Sequence, residues 1–566
     1  MAMALPVATD EPAARPSAAV PDDPFLSLVL PRAHSEPGRP VLGLPEKGAW
    51  RETTYGDVLT GARALSSRLL AMGLQPGDRV ALLSESRPEW AMALLGVWRS
   101  GGILVPLDVK ATAVELAAIL EDCRPVTLLV SEAQAGLARD AAAGAASARL
   151  ESLEAAVVPR WDGRDDPSTP ERSVHETGFL IYTSGTTGRP KGVEITLGNL
   201  AFEVRSLLQA NPILPDDVFV SILPLHHLFE LVCGLLVPLH VGARVCYSPS
   251  LFPQDVVALM KGQRATVMLC VPLFLKVMKA AVEREVHARG RGARLGFRAA
   301  LAVARVLPMS ARRRVFAALH AQLGGRLRAF VCGGAPLDRE VADFFERLGV
   351  QVYEGYGLTE TSPVVAVNGP GAQRPGTVGR PLPGVRVRIE AGEVLTAGPH
   401  VMRGYYRRPE ITAEVMVGEW LRTGDLGELD ADGFLRITGR LKNLIVLPGG
   451  RKVQPEEVES VLARSLLVRE VCVLGTATTR GLSKGDEEVC AVVVPSGPLA
   501  DRLAGRTEAL AEQIRRDLDR IGAVLAPYKR PTRLVVRTEP LPMTSTRKIR
   551  RPLVRSWLEA QGSAAR

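Results

Sequence analysis

The sequence predicts an α/β protein: a large N-terminal domain of mostly parallel sheets layered with helices, a β-rich subdomain after it, and a small α+β C-terminal domain. Three observations carry this. Apolar runs of strand length alternate with helical patterns through the first part of the chain. From Val385 onward the pattern turns strand-rich and glycine-punctuated, and the chain after Arg440 holds its own mixture of both. At 566 residues the chain exceeds one ordinary core, and 46 % hydrophobic with 23 % charged residues suits a folded globular protein.

Residues 1–24, rich in Ala, Pro and Asp, read as a flexible tail, with neither the basic start nor the apolar run of a signal peptide. Thr54 with Asp57 forms a capping box, Val58, Ala62, Leu65 and Leu69 share a face, and Gly73 ends the helix they define. Arg79 to Leu83 follows as a buried strand, Glu89 to Arg99 as a helix, and Ile103 to Pro106 and Val126 to Val130 as strands. Phe179 to Tyr182 is a further strand, which puts the Gly-rich stretch behind it at a strand's carboxyl end, where open α/β sheets bind ligands. Leu327 to Val331 reads as another strand. Past the β-rich VRVRI, GEVLTAG and GFLRITG segments, Pro455 to Arg464 and Glu508 to Ile521 read as helices and Val471 to Leu474 and Val489 to Val494 as strands. These give a separate domain over 441–566, leaving 25–440 as the N-terminal one.

A net charge of +9 favours an anionic partner such as a nucleotide, a phosphate-bearing coenzyme or an acidic lipid surface. Nucleic acid is not expected, because aromatics are only 5 % and no stripe interleaves them with basic residues. The seven cysteines are scattered without CxxC pairs, which predicts buried free thiols in a reducing, cytoplasmic setting. Ser221 to Gly242, the most apolar long stretch, is broken by Pro224, His226, His227, Glu230 and Pro238 and is not expected to span a membrane. Lys276 to Arg328 is a basic, amphipathic helical insert. It reads either as a solvated face or as a peripheral contact of residues 276–328 with an anionic membrane, at its inner face.

The stretch Tyr182 to Gly192, YTSGTTGRPKG, combines glycines, hydroxyls and one lysine, a composition suited to phosphate oxygens. Five places after Gly185 stands Pro190, where a Walker loop needs Gly-Lys-Ser/Thr, so it is not a P-loop; a plain surface turn is the competing reading. In this residue order the string resembles the phosphate loop of the adenylate-forming superfamily, which includes acyl-CoA synthetases, luciferases and peptide-synthetase adenylation domains. Further stretches resemble that family's motifs in its order: Leu223 to His227, Cys332 to Pro336, Tyr353 to Glu360, Thr423 to Asp425, Gly439-Arg440 and Pro542 to Ile549. The finer likeness, in LPLHHLFE at 223 to 230, the basic insert and GRLKNLIVLPGGRKVQPEEVE at 439 to 459, is to long-chain fatty acyl-CoA synthetases.

The resemblance implies ATP, Mg²⁺ and CoA, or a carrier protein's phosphopantetheine in place of CoA. It places the nucleotide on Thr183, Ser184, Gly185, Thr186, Thr187, Gly188 and Lys191, with Gly333, Gly334, Ala335 and Pro336 along the adenine. Glu354, Gly355, Tyr356 and Gly357 lead to Thr359 at the α-phosphate, with Tyr356 stacked on the base. Glu360 and Thr183 would serve the metal, for which one carboxylate beside the phosphates is enough. Asp425 and Arg440 would meet the ribose, His227 and Gly333 border the acyl pocket, and Lys191 steady the pyrophosphate. Lys548 would activate the carboxylate, although Arg547 stands where the family has glycine. The C-terminal domain is expected to be mobile about a hinge at Lys442, where Asn443 replaces an acid common in relatives, and Gly449 and Gly450 would line the thiol's passage. The expected reaction is activation of a medium- to long-chain fatty acid as acyl-AMP and transfer to CoA; an acyl carrier protein is the alternative acceptor.

Overall fold

The computed structural model describes residues 32–143, 148–158, 170–184, 190–448, 451–477, 487–497, 507–543 and 549–564. The residues read as a tail lie outside these. The first predicted helix is Tyr55–Ala71, and its capping box forms: Thr54 Oγ1 accepts from the Asp57 amide, while the Asp57 carboxylate accepts from the Thr54 amide at 2.8 Å. Arg79–Leu83, Pro88–Arg99 and Ile103–Pro106 follow as expected, and the next strand is Thr127–Val130.

Two large sheets organise the N-terminal part. In the seven-stranded one, Thr177–Ser184, Ile103–Pro106, Arg79–Leu83, Thr127–Val130 and Arg149–Ser152 run parallel, and Pro190–Thr196 and Gly404–Tyr405 add antiparallel strands at one edge. The nine-stranded sheet is parallel from Pro40–Glu46 through Gln351–Tyr356, again with antiparallel edges.

Strand periodicity sets the layers. Val80 and Leu82 join the core shared by both sheets and the helices Tyr55–Ala71, Pro88–Arg99 and Leu197–Ala210, whereas Ala81 and Leu83 face the helix Ala113–Cys123 on the other side. Likewise Phe219 points into the shared core while Val218 and Val220 pack under the helices Pro253–Gln263 and Pro272–Ala288. Helix, sheet, helix, sheet, helix is the resulting stack.

The β-rich subdomain is a five-stranded antiparallel sheet containing Arg386–Glu390, Glu393–Ala397, Trp420–Leu429 and Leu435–Arg440. Beyond it, Val468–Ala477 and Glu487–Pro495 pair antiparallel and Arg533–Val536 adds a parallel strand. Val471 and Val473 face the helices Pro455–Leu462 and Thr507–Ile521, and Cys472 and Leu474 face Arg551–Ala564. The α+β character read from the sequence is present, with its own two-sided core. All seven cysteines are free. Among the described residues no helix is long and apolar enough to cross a membrane. The basic insert is helical, in four pieces: Pro272–Ala288, Arg291–Ala304, Met309–Val315 and Ala317–Gln322.

Candidate active site

The phosphate-loop stretch closes a hairpin between Thr177–Ser184 and Pro190–Thr196, with Thr183 directly across from Lys191. A Cβ on Gly192 would come within 2.7 Å of the Leu180 side chain, so only glycine lets the strands pack here. Tyr182 donates its hydroxyl to Asp122 at 2.6 Å, and Arg408 holds that carboxylate's other oxygen at 2.9 Å, tying the hairpin to the helix Ala113–Cys123. Gly185, Thr186, Thr187 and Gly188 lie outside the described residues, as does the side chain of Ser184.

Lys191 holds its ammonium 5.4 Å from the centre of the Tyr405 ring, within cation–π reach. Tyr405 in turn donates its hydroxyl to Glu360 Oε1 at 2.9 Å. Burial, with the Glu360 charge adding to it, raises the Tyr405 pKa and keeps the phenol protonated as a donor. The structure thus joins Lys191 and Glu360, predicted separately, through a tyrosine that the sequence reading did not single out.

Glu360 sits on the 3₁₀ turn Thr359–Thr361, behind the strand Gln351–Tyr356 that carries the rest of its motif. Gly357 has a steric reason: a Cβ there would lie 1.8 Å from the Pro363 carbonyl oxygen. The turn is held from the far side by Glu203 on the helix Leu197–Ala210, whose Oε1 accepts from the Val364 amide at 2.7 Å. Complete burial pushes the Glu203 pKa well above the ordinary carboxylate value, the Val364 amide opposing.

Asp425 and Arg440 face each other across the antiparallel strands Trp420–Leu429 and Leu435–Arg440. Arg440 donates from Nε to Asp425 Oδ1 at 2.5 Å and from Nη2 to Oδ2 at 3.3 Å, and Tyr356 donates its hydroxyl to Oδ2 at 2.8 Å. Burial works against the Arg440 charge, but Asp425 outweighs it and raises the guanidinium's pKa. The Tyr356 pKa is raised by burial first and by Asp425 beside it. An ionised carboxylate offers about four lone-pair directions, so Asp425 still has accepting capacity while it fixes both neighbours.

The turn after the strand Ala329–Cys332 starts at a buried Gly333 and surfaces through Gly334, Ala335 and Pro336. Gly334 has φ +84°, a glycine conformation. A Cβ on Gly333 would lie 3.2 Å from the ring of Phe229, so this aromatic, also absent from the sequence reading, packs on the glycine. Glu354 braces this turn: its carboxyl accepts from the Leu337 amide at 3.2 Å, and burial pushes it up to about 7. Gly355 beside it keeps ordinary contact distance to Val367. The His226 and His227 rings lie 4.1 Å apart, with His226 Nε2 3.5 Å from the Asp108 carboxylate.

Lys442 lies on the 3₁₀ turn Leu441–Asn443 immediately behind Arg440. Its pKa is lowered by burial and then by Arg440, with Asp425 and Glu360 pulling the other way, which places its ammonium beside this cluster. Asn443 donates to Glu456 at 2.7 Å, a bond for which an acid at 443 would lack the donor. Gly449, Gly450 and Lys548 lie outside the described residues. The ends of the segment carrying Lys548 are joined by a bridge between Met543 and Ile549. Next along, Arg550 reaches Glu115 at 3.5 Å, on the same helix whose far end holds Tyr182. Among the described residues no group of three or more His, Cys, Asp or Glu side chains gathers as an all-protein metal site would need.

Two sets of side chains thus form, Lys191–Tyr405–Glu360 and Tyr356–Asp425–Arg440, and the Glu360 charge is felt at Arg440 and Lys442. The family model described as AMP-binding enzyme matches residues 31–406, and that of the AMP-binding enzyme C-terminal domain matches 457–548. The chain is 31 % identical over 487 residues to the long-chain-fatty-acid–CoA ligase FadD15 of Mycobacterium bovis, covering 80 % of each. It is 30 % identical over 515 residues to a feruloyl-CoA synthase of Amycolatopsis sp., covering 89 % of this chain and 93 % of that one. Its fold superposes on ATP-bound MatB of Rhodopseudomonas palustris with a TM-score of 0.75 at 28 % identity, over 94 % of this chain and 98 % of that one.

Proposed function

The chain belongs to the AMP-binding enzyme family and is an AMP-forming acid–CoA ligase, and from that premise we propose that its acid is a medium- to long-chain fatty acid. What supports this acid is the composition of the segment expected to border the acyl group. From Leu223 to Leu236 it contains no lysine or arginine to meet a second carboxylate, and the Phe229 ring lies against Gly333 while Leu225 and Leu228 belong to the buried core on which Phe229 packs. The fatty acid–CoA ligase among the relatives supports it from another side.

In the adenylation half, the acid's carboxylate attacks the α-phosphorus of ATP in line and pyrophosphate leaves, so the chain must hold spreading negative charge. Lys191 steadies the leaving pyrophosphate from its seat above Tyr405. Thr359 bonds the α-phosphate and Lys548 draws the carboxylate to it. Asp425, kept oriented by Arg440 and Tyr356, accepts from the ribose hydroxyls. Glu360 fits a Mg²⁺ ion: Oε1 is held by Tyr405, and among the described residues Oε2 has no hydrogen-bond partner, leaving one hard oxygen for a hydrated metal. Bound there, with the Thr183 hydroxyl near, the ion would offset phosphate charge. The thioester half needs Lys548 withdrawn and a thiol admitted past Gly449 and Gly450, with Lys442 as hinge between domains that meet at residue 440.

CoA is the acceptor in this reading, and a phosphopantetheine carrier is the alternative. A cytoplasmic enzyme working on such acids would meet them at the inner membrane face, where residues 276–328 could contact anionic lipid. The test is ATP–pyrophosphate exchange across saturated acids from acetate to long chains, followed by CoA addition. Exchange rising with chain length and thioester formed with CoA are expected. A preference for short, dicarboxylic or aromatic acids would overturn the acid, and a stop at acyl-AMP would overturn the acceptor.

A further inference from the structure

Between Glu285 and Asp338 the chain holds ten arginines and no acidic residue. Several of these arginines are spent within the fold. Arg312 donates to the carbonyls of Leu307 and Glu346, Arg313 to that of Leu327, and Arg326 and Arg328 pair with Asp216 and Asp217. The helix Arg291–Ala304 and the residues just behind it differ. Arg291, Arg294, Arg298 and Arg305 are exposed, and among the described residues none of the four side chains is hydrogen-bonded or ion-paired.

Helical geometry places these four on one stripe, since steps of three, four and seven return to the same side. The side adjoining this stripe is committed to the fold: Ala304 is buried, Phe297, Ala300 and Leu301 pack on the outer core, and the Phe297 ring lies 5.8 Å from that of Phe316. Beside the arginine stripe, on the outward side, stand Leu295 at 72 % exposure and Val306 at 85 %, with Val303 at 55 %. Soluble surfaces tolerate single exposed apolar residues, but several next to a row of unpaired arginines make an interfacial face.

We propose that the outward face of Arg291–Ala304, extended to Val306, docks the protein on an anionic lipid bilayer, with Leu295 and Val306 entering the headgroup layer and Arg291, Arg294, Arg298 and Arg305 meeting lipid phosphates. Charge complementarity selects the partner class, and the apolar residues select lipid over nucleic acid, because no aromatic ring is exposed on this face to stack on a base. This face deepens the lipid contact of the proposed function and rests on that reading for its purpose alone. Binding is measured without ATP or acid, so a failed acid preference and a failed docking are separate results.

The experiment is cosedimentation of the full chain with vesicles of phosphatidylcholine containing phosphatidylglycerol, against phosphatidylcholine alone. Binding to the mixed vesicles, weakened by salt, is expected. Arg294→Gln with Arg298→Gln should weaken it by about fivefold per arginine, whereas Arg294→Lys with Arg298→Lys should bind like the parent. Leu295→Gln with Val306→Gln should weaken it by roughly tenfold. All three variants should retain the parent's pyrophosphate exchange, which certifies their fold. Absence of parent binding to anionic vesicles, equal binding to neutral ones, unchanged binding of the glutamine variants, or capture by polyglutamate in place of vesicles would each overturn the proposal.

Discussion

Glu230 lies 1 % exposed on the π-helical segment Phe229–Leu236, and among the described residues neither carboxyl oxygen has a hydrogen bond of good geometry; the Ser221 hydroxyl stands near it. Burial pushes its carboxyl up to about 8, with Ser221 opposing. Below pH ~4.5 the group is neutral folded and unfolded, and its contribution to stability is fully present. As pH rises the unfolded chain ionises first and the contribution drains away, by roughly 1.4 kcal/mol per unit, until the folded group also ionises near its own pKa. Glu354 and Glu459, each pushed up to about 7, act in the same direction. Glu230→Gln should therefore flatten the fall in thermal midpoint between mildly acidic and mildly alkaline pH, as calorimetry would show; a parent-like fall would contradict a neutral Glu230. In sequence this residue is legible only as an acid inside an apolar run, because the absence of a partner for it is a property of the packed core.

At the scale of elements, the short strand Gly404–Tyr405 matters because it pairs with Pro190–Thr196 and so hangs Tyr405 between Lys191 and Glu360. Tyr405→Phe keeps the ring under the lysine and removes the donor to Glu360. Losing one hydrogen bond to a half-buried carboxylate costs about 1–3 kcal/mol. The Mg²⁺ concentration needed for half-maximal pyrophosphate exchange should rise roughly tenfold, with the thermal midpoint little changed; an unchanged Mg²⁺ requirement would remove Tyr405 from the site. Elements defined by local rules were legible beforehand: the Thr54 capping box, the alternating strands, and the strand that ends at the phosphate loop. The Asp425–Arg440 partnership was legible through motif resemblance, and antiparallel register supplies its physical cause. Tyr405 with Glu360 and Glu203 with Val364 join residues far apart in the chain through side chains, and neither periodicity nor composition encodes such meetings.

For the whole molecule, the C-terminal domain has cores of its own and touches the larger part through modest contacts. The Arg550–Glu115 pair is about two-fifths exposed on both sides, and surface pairs of that kind contribute about 0–1 kcal/mol, little enough to yield to the proposed hinge motion. A recess of about 700 Å³ lined by Ile389, Leu426, Leu441, Leu444, Lys452 and Gln454 opens beside the Lys442 turn, leaving space there between the β-rich subdomain and the start of the C-terminal domain. The basic helices 272–322 sit on one face of the nine-stranded sheet and pack on its outer core. In the proposed mechanism one chain divides two half-reactions between Lys548 and a hinge at Lys442. The most direct test measures acid-dependent pyrophosphate release and thioester formation from preformed acyl-AMP, side by side, in Lys548→Ala and Lys442→Pro. Lys548→Ala should lose the first and largely keep the second, and Lys442→Pro should do the reverse; equal loss of both half-reactions in either variant would contradict this division.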